Sequence, residues 1–183
     1  MIVASIGTPS ADAANTALLV MRLSLGLTIA AHGYNHIYRG GKIAGTARWF
    51  ESLGMKPGIL HAWLASVTEL GAGLLLVVGL LTPLASAAVL ATILVALITN
   101  HRKNGFFIFR PGEGYEYVAM IAAMSLALGT LGAGEWSLDN ASDYPIALAS
   151  AAAFWITLLV GTLSCAGLLA VFWRPPPPKP DAG

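Results

Sequence analysis

The order of apolar and polar positions divides this chain into five long apolar runs joined by short polar connections. The runs extend from about Ala17 to Tyr38, Leu60 to Leu81, Leu84 to about Asn100, Tyr115 to about Leu131, and Ile146 to Trp173. A hydrocarbon core about 30 Å thick takes roughly 20 apolar residues in a helix. The pattern therefore predicts membrane-crossing helices, because a transmembrane barrel would show short alternating segments instead. The segment between the first two runs is different in kind. Over 43–56, Ile43, Ala47, Phe50 and Leu53 fall near one helical face, Arg48 and Glu51 fall off it, and Trp49 stands beside them. That spacing predicts an amphipathic helix lying at the interface. Gly40-Gly41 precedes it, and Gly54 and Pro57-Gly58 close it. Thr82-Pro83 leaves room only for a tight turn, so the second and third runs should form an antiparallel hairpin. Asn15 is the expected cap of the first helix. The stretch Gly105–Gly112 is too short to cross and is expected at the interface. The tail Arg174-Pro-Pro-Pro-Pro-Lys-Pro should be extended and solvated.

Composition agrees with a membrane protein. Of 183 residues, 56% are hydrophobic and 10% charged, against roughly 25% charged in soluble domains. A net charge of +1 without a basic stripe excludes a nucleic-acid partner. A single cysteine, Cys165, excludes an intramolecular disulfide and a two-thiol relay, and its place in the last run marks it as a packing residue. The N-terminus lacks the basic region and apolar core of a cleaved signal peptide. Apart from Arg22, the basic residues lie in the first connection (Arg39, Lys42, Arg48, Lys56), the third (Arg102, Lys103, Arg110) and the tail (Arg174, Lys179). The positive-inside rule then sets the N-terminus outside and the C-terminus in the cytoplasm.

Polar residues inside the runs carry the candidate chemistry. Ionisable groups within a span are costly and persist where they find a partner or line a cavity. His32 and His36, four apart, share one face of the first helix. By depth, Asn35, Glu69, Asn100, His101 and Glu116 reach the same cytoplasmic leaflet, with His32 the expected partner of Glu69. Arg22 stands towards the outer end and is expected to reach Asp139 or outer carbonyls by snorkelling. A pocket between the first four helices follows, with His32, Glu69 and His36 as candidate catalytic groups. Asn100, His101, Glu116 and Trp49 would hold the ligand, Trp49 with Phe50 as an aromatic cover. Histidine and carboxylate can exchange protons with a quinone, ligate a metal or bind a polar headgroup. Two histidines four apart with unplaced carboxylates do not define a metal site, so no metal is assigned.

Several features in order resemble the DoxX family of small bacterial membrane proteins. They are Arg22 with Gly26; His32-Gly33 and His36; Phe50 and Gly54; Glu69 with Gly73; Gly79 and Thr82; His101 with Gly105-Phe106; Gly114 and Glu116; and Gly132-Ala-Gly-Glu-Trp-Ser-Leu-Asp139. The resemblance covers residues 17–139 and implies an all-α, integral membrane four-helix bundle. A lead (1–16) would precede that core, with an additional C-terminal transmembrane helix (140–173) and a proline-rich cytoplasmic tail (174–183) after it. It further implies a bacterial cell membrane location. DoxD-related members are linked to thiosulfate oxidation with transfer to quinone. Other members are described as membrane partners of soluble thiol-redox and superoxide-detoxifying enzymes. This chain departs at His36, where lysine is common, and in its fifth helix and tail. Two functions follow as expectations. One is the membrane subunit of a sulfur- or thiol:quinone oxidoreductase. The other is a non-catalytic membrane subunit or assembly partner of a redox, respiratory or oxidative-stress complex, among other membrane or peripheral redox proteins. Five spans give no even inverted repeat, which does not favour a solute transporter.

Overall fold

The computed structural model describes residues 9–142 and 150–176, and every regular element among them is helical. Helix α1 runs Ala11–Tyr38, α2 Lys42–Ser52, α3 Gly58–Val78, α4 Thr82–Ala96, α5 Glu116–Leu131, α6 Leu138–Ala141 and α7 Ala151–Phe172. A wider turn at Leu97–His101 and a tighter one at Arg102–Asn104 prolong α4. Among the described residues, four helical columns are long and apolar enough to cross a bilayer: Ala11–Tyr38, Gly58–Val78, Thr82–Asn104 and Ala151–Phe172. The chain is a multi-pass membrane protein. The expected fourth run is found to within a residue as α5, which is shorter than the four columns. α5 has 16 residues, about 24 Å of helix.

α4 is the hub, packed against α3, α5 and α7, while α1 packs chiefly on α3 and α2 lies across the start of α3. The core is aliphatic: Leu25 and Ile29 of α1 meet Leu76 of α3, Val89 and Ile93 of α4, and Val118 and Leu128 of α5. A smaller cluster under α2 joins Ala47, Phe50, Met55 and Ala62 to Leu168 and Trp173. It bears out the expected apolar face of α2.

Two glycines fix how α1 and α3 cross. A Cβ on Gly73 would lie 2.6 Å from Gly26 O and Ala30 N; one on Gly33 would lie 2.7 Å from Leu70 N and Ser66 O. Only hydrogen at these positions lets the two backbones touch, the close approach that small residues provide in membranes.

One end of the bundle is tied by polar side chains. Asn15 is not the cap of α1. Ser10 is, its Oγ accepting from Ala13 N at 3.2 Å, and Asn15 sits a turn inside. There its Nδ2 donates to Glu135 Oε2 and its Oδ1 accepts from Glu135 N, both at 2.9 Å. Asp139 accepts from Leu81 N (2.7 Å) and Thr82 N (2.9 Å), satisfying the free amides at the start of α4. Arg22 is 1% exposed. It reaches carbonyls as expected, but across the bundle instead of by snorkelling: Val77 O at 3.1 Å and Trp136 O at 2.6 Å. Gly79, left-handed at φ +66°, ends α3 where any side chain would meet the Arg22 guanidinium. The opposite end carries the connections after α1, α2, α4 and α7, and with them Arg39, Lys42, Arg48, Lys56, Arg102, Lys103, Arg110 and Arg174. There Met55 pairs with Trp173. The two ends of the described chain thus lie at opposite ends of the bundle. The lead before residue 9, the start of the fifth run at 146–149 and the tail from 177 lie outside the described residues.

Candidate binding cavity

A cavity of about 470 Å³ runs along α4, from Leu84 near the clasp of Arg22 and Asp139 to Thr99 and His101 at the opposite end. Its existence follows from the sequence of α4. Leu84, Ala87, Ala88, Ala91, Thr92, Val95, Ala96 and Thr99 line it, at the i, i+3, i+4, i+7 spacing of one helical face. Most of these side chains are small, so α4 leaves the space unfilled. The hydroxyls on that face bond back to their own helix, Thr92 to Val89 O (2.9 Å) and Thr99 to Val95 O (2.8 Å). The wall they present is therefore apolar.

The polar groups come from the other helices. Glu69 Oε2 lies 3.3 Å from His36 Nδ1. The expected partner of Glu69 was His32, one turn earlier. The contact of Gly33 with Ser66 and Leu70 sets the level of α1 against α3 and brings His36 to the carboxylate. His32 lines the same cavity. Across it, Tyr117 Oη and His101 Nε2 are 2.9 Å apart, and His101 Nδ1 lies 3.0 Å from Glu113 O. His101 sits in the wide turn that ends α4, a local insertion that re-aims side chains. Trp49 and Phe50 of α2, with rings 5.1 Å apart, contribute the aromatic edge.

Two expected ligand-holding residues are absent from the lining. Asn100 stays behind His101, its Nδ2 lying 3.4 Å from His101 Nε2 and its backbone carbonyl accepting from Asn104 Nδ2 at 3.2 Å. Glu116 begins α5 on the wrong side of the helix, and Tyr117, one position on, enters the cavity instead. The pocket is also not confined to the first four helices. α7 contributes Val160, Ser164, Cys165 and Leu168, so Cys165 lies with the polar set instead of apart from it. His61, which is not among the residues expected from the sequence, is 2% exposed, lines the cavity and packs edge-on against Phe172 at 5.1 Å. Its Nε2 has no partner among the described residues. The signal was available: His61, Ala65, Thr68 and Glu69 follow the i, i+4, i+7, i+8 rule along α3.

The cavity opens sideways. Leu64 of α3, Leu84 of α4 and Val160 of α7 line it, yet they are 44%, 39% and 43% exposed. α3 and α7 both pack on α4 and meet each other chiefly at one end, where His61 packs against Phe172. The gap between them faces the surface that spanning helices present to lipid.

No curated protein and no solved structure matches the chain. Residues 17–102, from α1 into the last turn of the α4 column, match the family model DoxX, and this part of the chain is a DoxX domain.

Proposed function

We propose that this cavity receives a membrane quinone and that the chain is the membrane subunit of a quinone-linked redox system. The observation that carries the reading is the lateral opening between α3 and α7 into an apolar chamber with titratable groups at one end. A quinone is a flat apolar ring with two carbonyl oxygens and an isoprenoid tail. Its tail would leave through the gap at Leu64, Leu84 and Val160, and its ring would lie on the alanine face of α4. Its oxygens need hydrogen-bond donors, and the Glu69–His36 pair and His32 offer them, as does the Tyr117 hydroxyl when His101 is protonated. Reduction of a quinone to a quinol takes up two electrons and two protons. The electrons are assigned to a separate sulfur- or thiol-oxidising protein, as the family resemblance implies. The residues of this chain would supply protons and orientation, with Glu69 holding His36 and Trp49 shielding the chamber. The concentration of basic residues at the same end supports a cytoplasmic assignment for it.

Cys165 gives a direct readout of occupancy. A fully substituted short-chain benzoquinone should slow alkylation of Cys165 by a small maleimide in a saturable way. Ala91→Phe, which fills the chamber, should remove that protection. Alkylation at an unchanged rate throughout the titration overturns the quinone reading. A second reading is a non-catalytic partner in a redox or oxidative-stress complex. It is favoured by α7, on which Trp155, Leu159 and Leu163 form an exposed apolar stripe. Protection that survives with full donor-to-quinone turnover in His36→Ala would assign the chain to that role.

A further inference from the structure

The connection between the α4 column and α5 is an ordered loop with an unusual surface. Its backbone is closed on itself: Gly105 O accepts from Tyr115 N (3.0 Å), Phe106 O from Glu116 N (2.9 Å), and Phe107 O from Gly114 N (3.1 Å). Asn104 Nδ2 reaches Glu113 O at 3.0 Å, which ties the base of the loop. A segment fixed in this way has paid its conformational entropy, yet it turns four consecutive large apolar side chains outward. Phe106, Phe107 and Ile108 are 49%, 46% and 41% exposed and Phe109 77%, with Phe107 and Phe109 stacked at 5.1 Å. Arg102, Lys103 and Arg110 flank them and are exposed. Against these three cations the loop has one acid, Glu113, so residues 102–114 carry 3 − 1 = +2.

We propose that this loop is a binding site for anionic lipid headgroups, with its aromatic tip seated in the acyl boundary and its cations on lipid phosphate. Its position favours lipid over a soluble protein. It joins two helices of the membrane bundle, so it lies at headgroup level by construction. Tyr34, Tyr38, Trp49 and Trp63, all exposed, stand at the same end and complete an aromatic belt of the kind found at membrane interfaces. Arginine and lysine near such a surface are drawn to anionic lipid by roughly fivefold each, and the attraction weakens with salt. The site is separate from the cavity and does not depend on the quinone reading.

The test places a single cysteine at Phe109 in a Cys165→Ser background and labels it with a small fluorophore. The protein is reconstituted in mixed phosphatidylcholine–phosphatidylglycerol vesicles, with bromine on the acyl chains of one lipid or the other. Both brominated lipids should quench the label. The phosphatidylglycerol form should be preferred by at least about fivefold per mole, and the preference should fall at high salt. Neutralising Arg102, Lys103 and Arg110 to glutamine should abolish the preference and leave quenching in place. Arg110→Gln alone serves if the triple variant does not assemble. Equal quenching by the two lipids overturns the anionic site. No quenching by either places the loop outside the bilayer and makes a soluble partner its occupant.

Discussion

The glycine contact between α1 and α3 can be tested with a matched pair of substitutions. A Cβ on Gly33 would lie 2.7 Å from Leu70 N and Ser66 O and 3.2 Å from Glu69 Cβ, whereas one on Gly71 meets nothing within 4 Å. Ordinary contact begins near 3.4 Å, so Gly33→Ala must push the backbones of α1 and α3 apart by about 0.7 Å, a figure that follows from close packing. Overpacking of this kind costs about 1–3 kcal/mol. Alanine returns up to about 1 kcal/mol of helix propensity, which leaves Gly33→Ala destabilising by about 0–3 kcal/mol. Gly71→Ala receives the same propensity gain with no clash and should be stabilised by up to about 1 kcal/mol. The two variants should therefore differ in thermal midpoint in detergent, with Gly71→Ala the higher. Gly33→Ala should also widen the His36–Glu69 separation and weaken ligand protection of Cys165. A midpoint for Gly33→Ala equal to or above that of Gly71→Ala would refute the glycine contact as the element that sets the level of the two helices.

The clasp makes a second prediction: Arg22→Met leaves the Trp136 and Val77 carbonyls without their donor at a cost of about 1–3 kcal/mol, and Arg22→Lys should recover only part of the loss, as read by thermal midpoint. Retention of full stability in Arg22→Met contradicts it. Topology makes a third: single cysteines at Lys103 and Asn140, in a Cys165→Ser background, should react with an impermeant maleimide from opposite faces of the membrane. Reaction from one face removes the alternating arrangement.

The spans were legible because each needs a run of apolar residues that nothing else in the chain imitates. Depth was legible too, since 1.5 Å per residue carries His36, Glu69 and His101 to one level. Rotation was not. Neighbouring positions on a helix differ by about 100°, which separates Glu116 from Tyr117 and Asn100 from His101. For the latter pair the wide turn at Leu97–His101 shifts the face further, and no local sequence signal announces that turn. The choice between His32 and His36 for Glu69 depends on the Gly33 and Gly73 contact, a tertiary property of two helices. Cys165 looked remote because the chain places α7 last, yet packing on α4 returns it to the cavity. Asn15 resembles a cap in the sequence because the polar lead masks a start one turn earlier, at Ser10.

The bonds of Arg22, Asn15 and Asp139 also give the molecule a direction. They join α1 to the end of α3, the start of α4 and the corner after α5, and Arg22 and Asn15 stand apart from the lining of the chamber. A rocking cycle that exposed the chamber first to one face and then to the other would have to break them together. With that end held shut, a quinone site of the kind proposed would exchange protons with one compartment only. Any quinone chemistry it supports then takes up and releases protons on a single side, so a contribution to an electrochemical gradient depends on where the electron donor binds and not on movement of this chain.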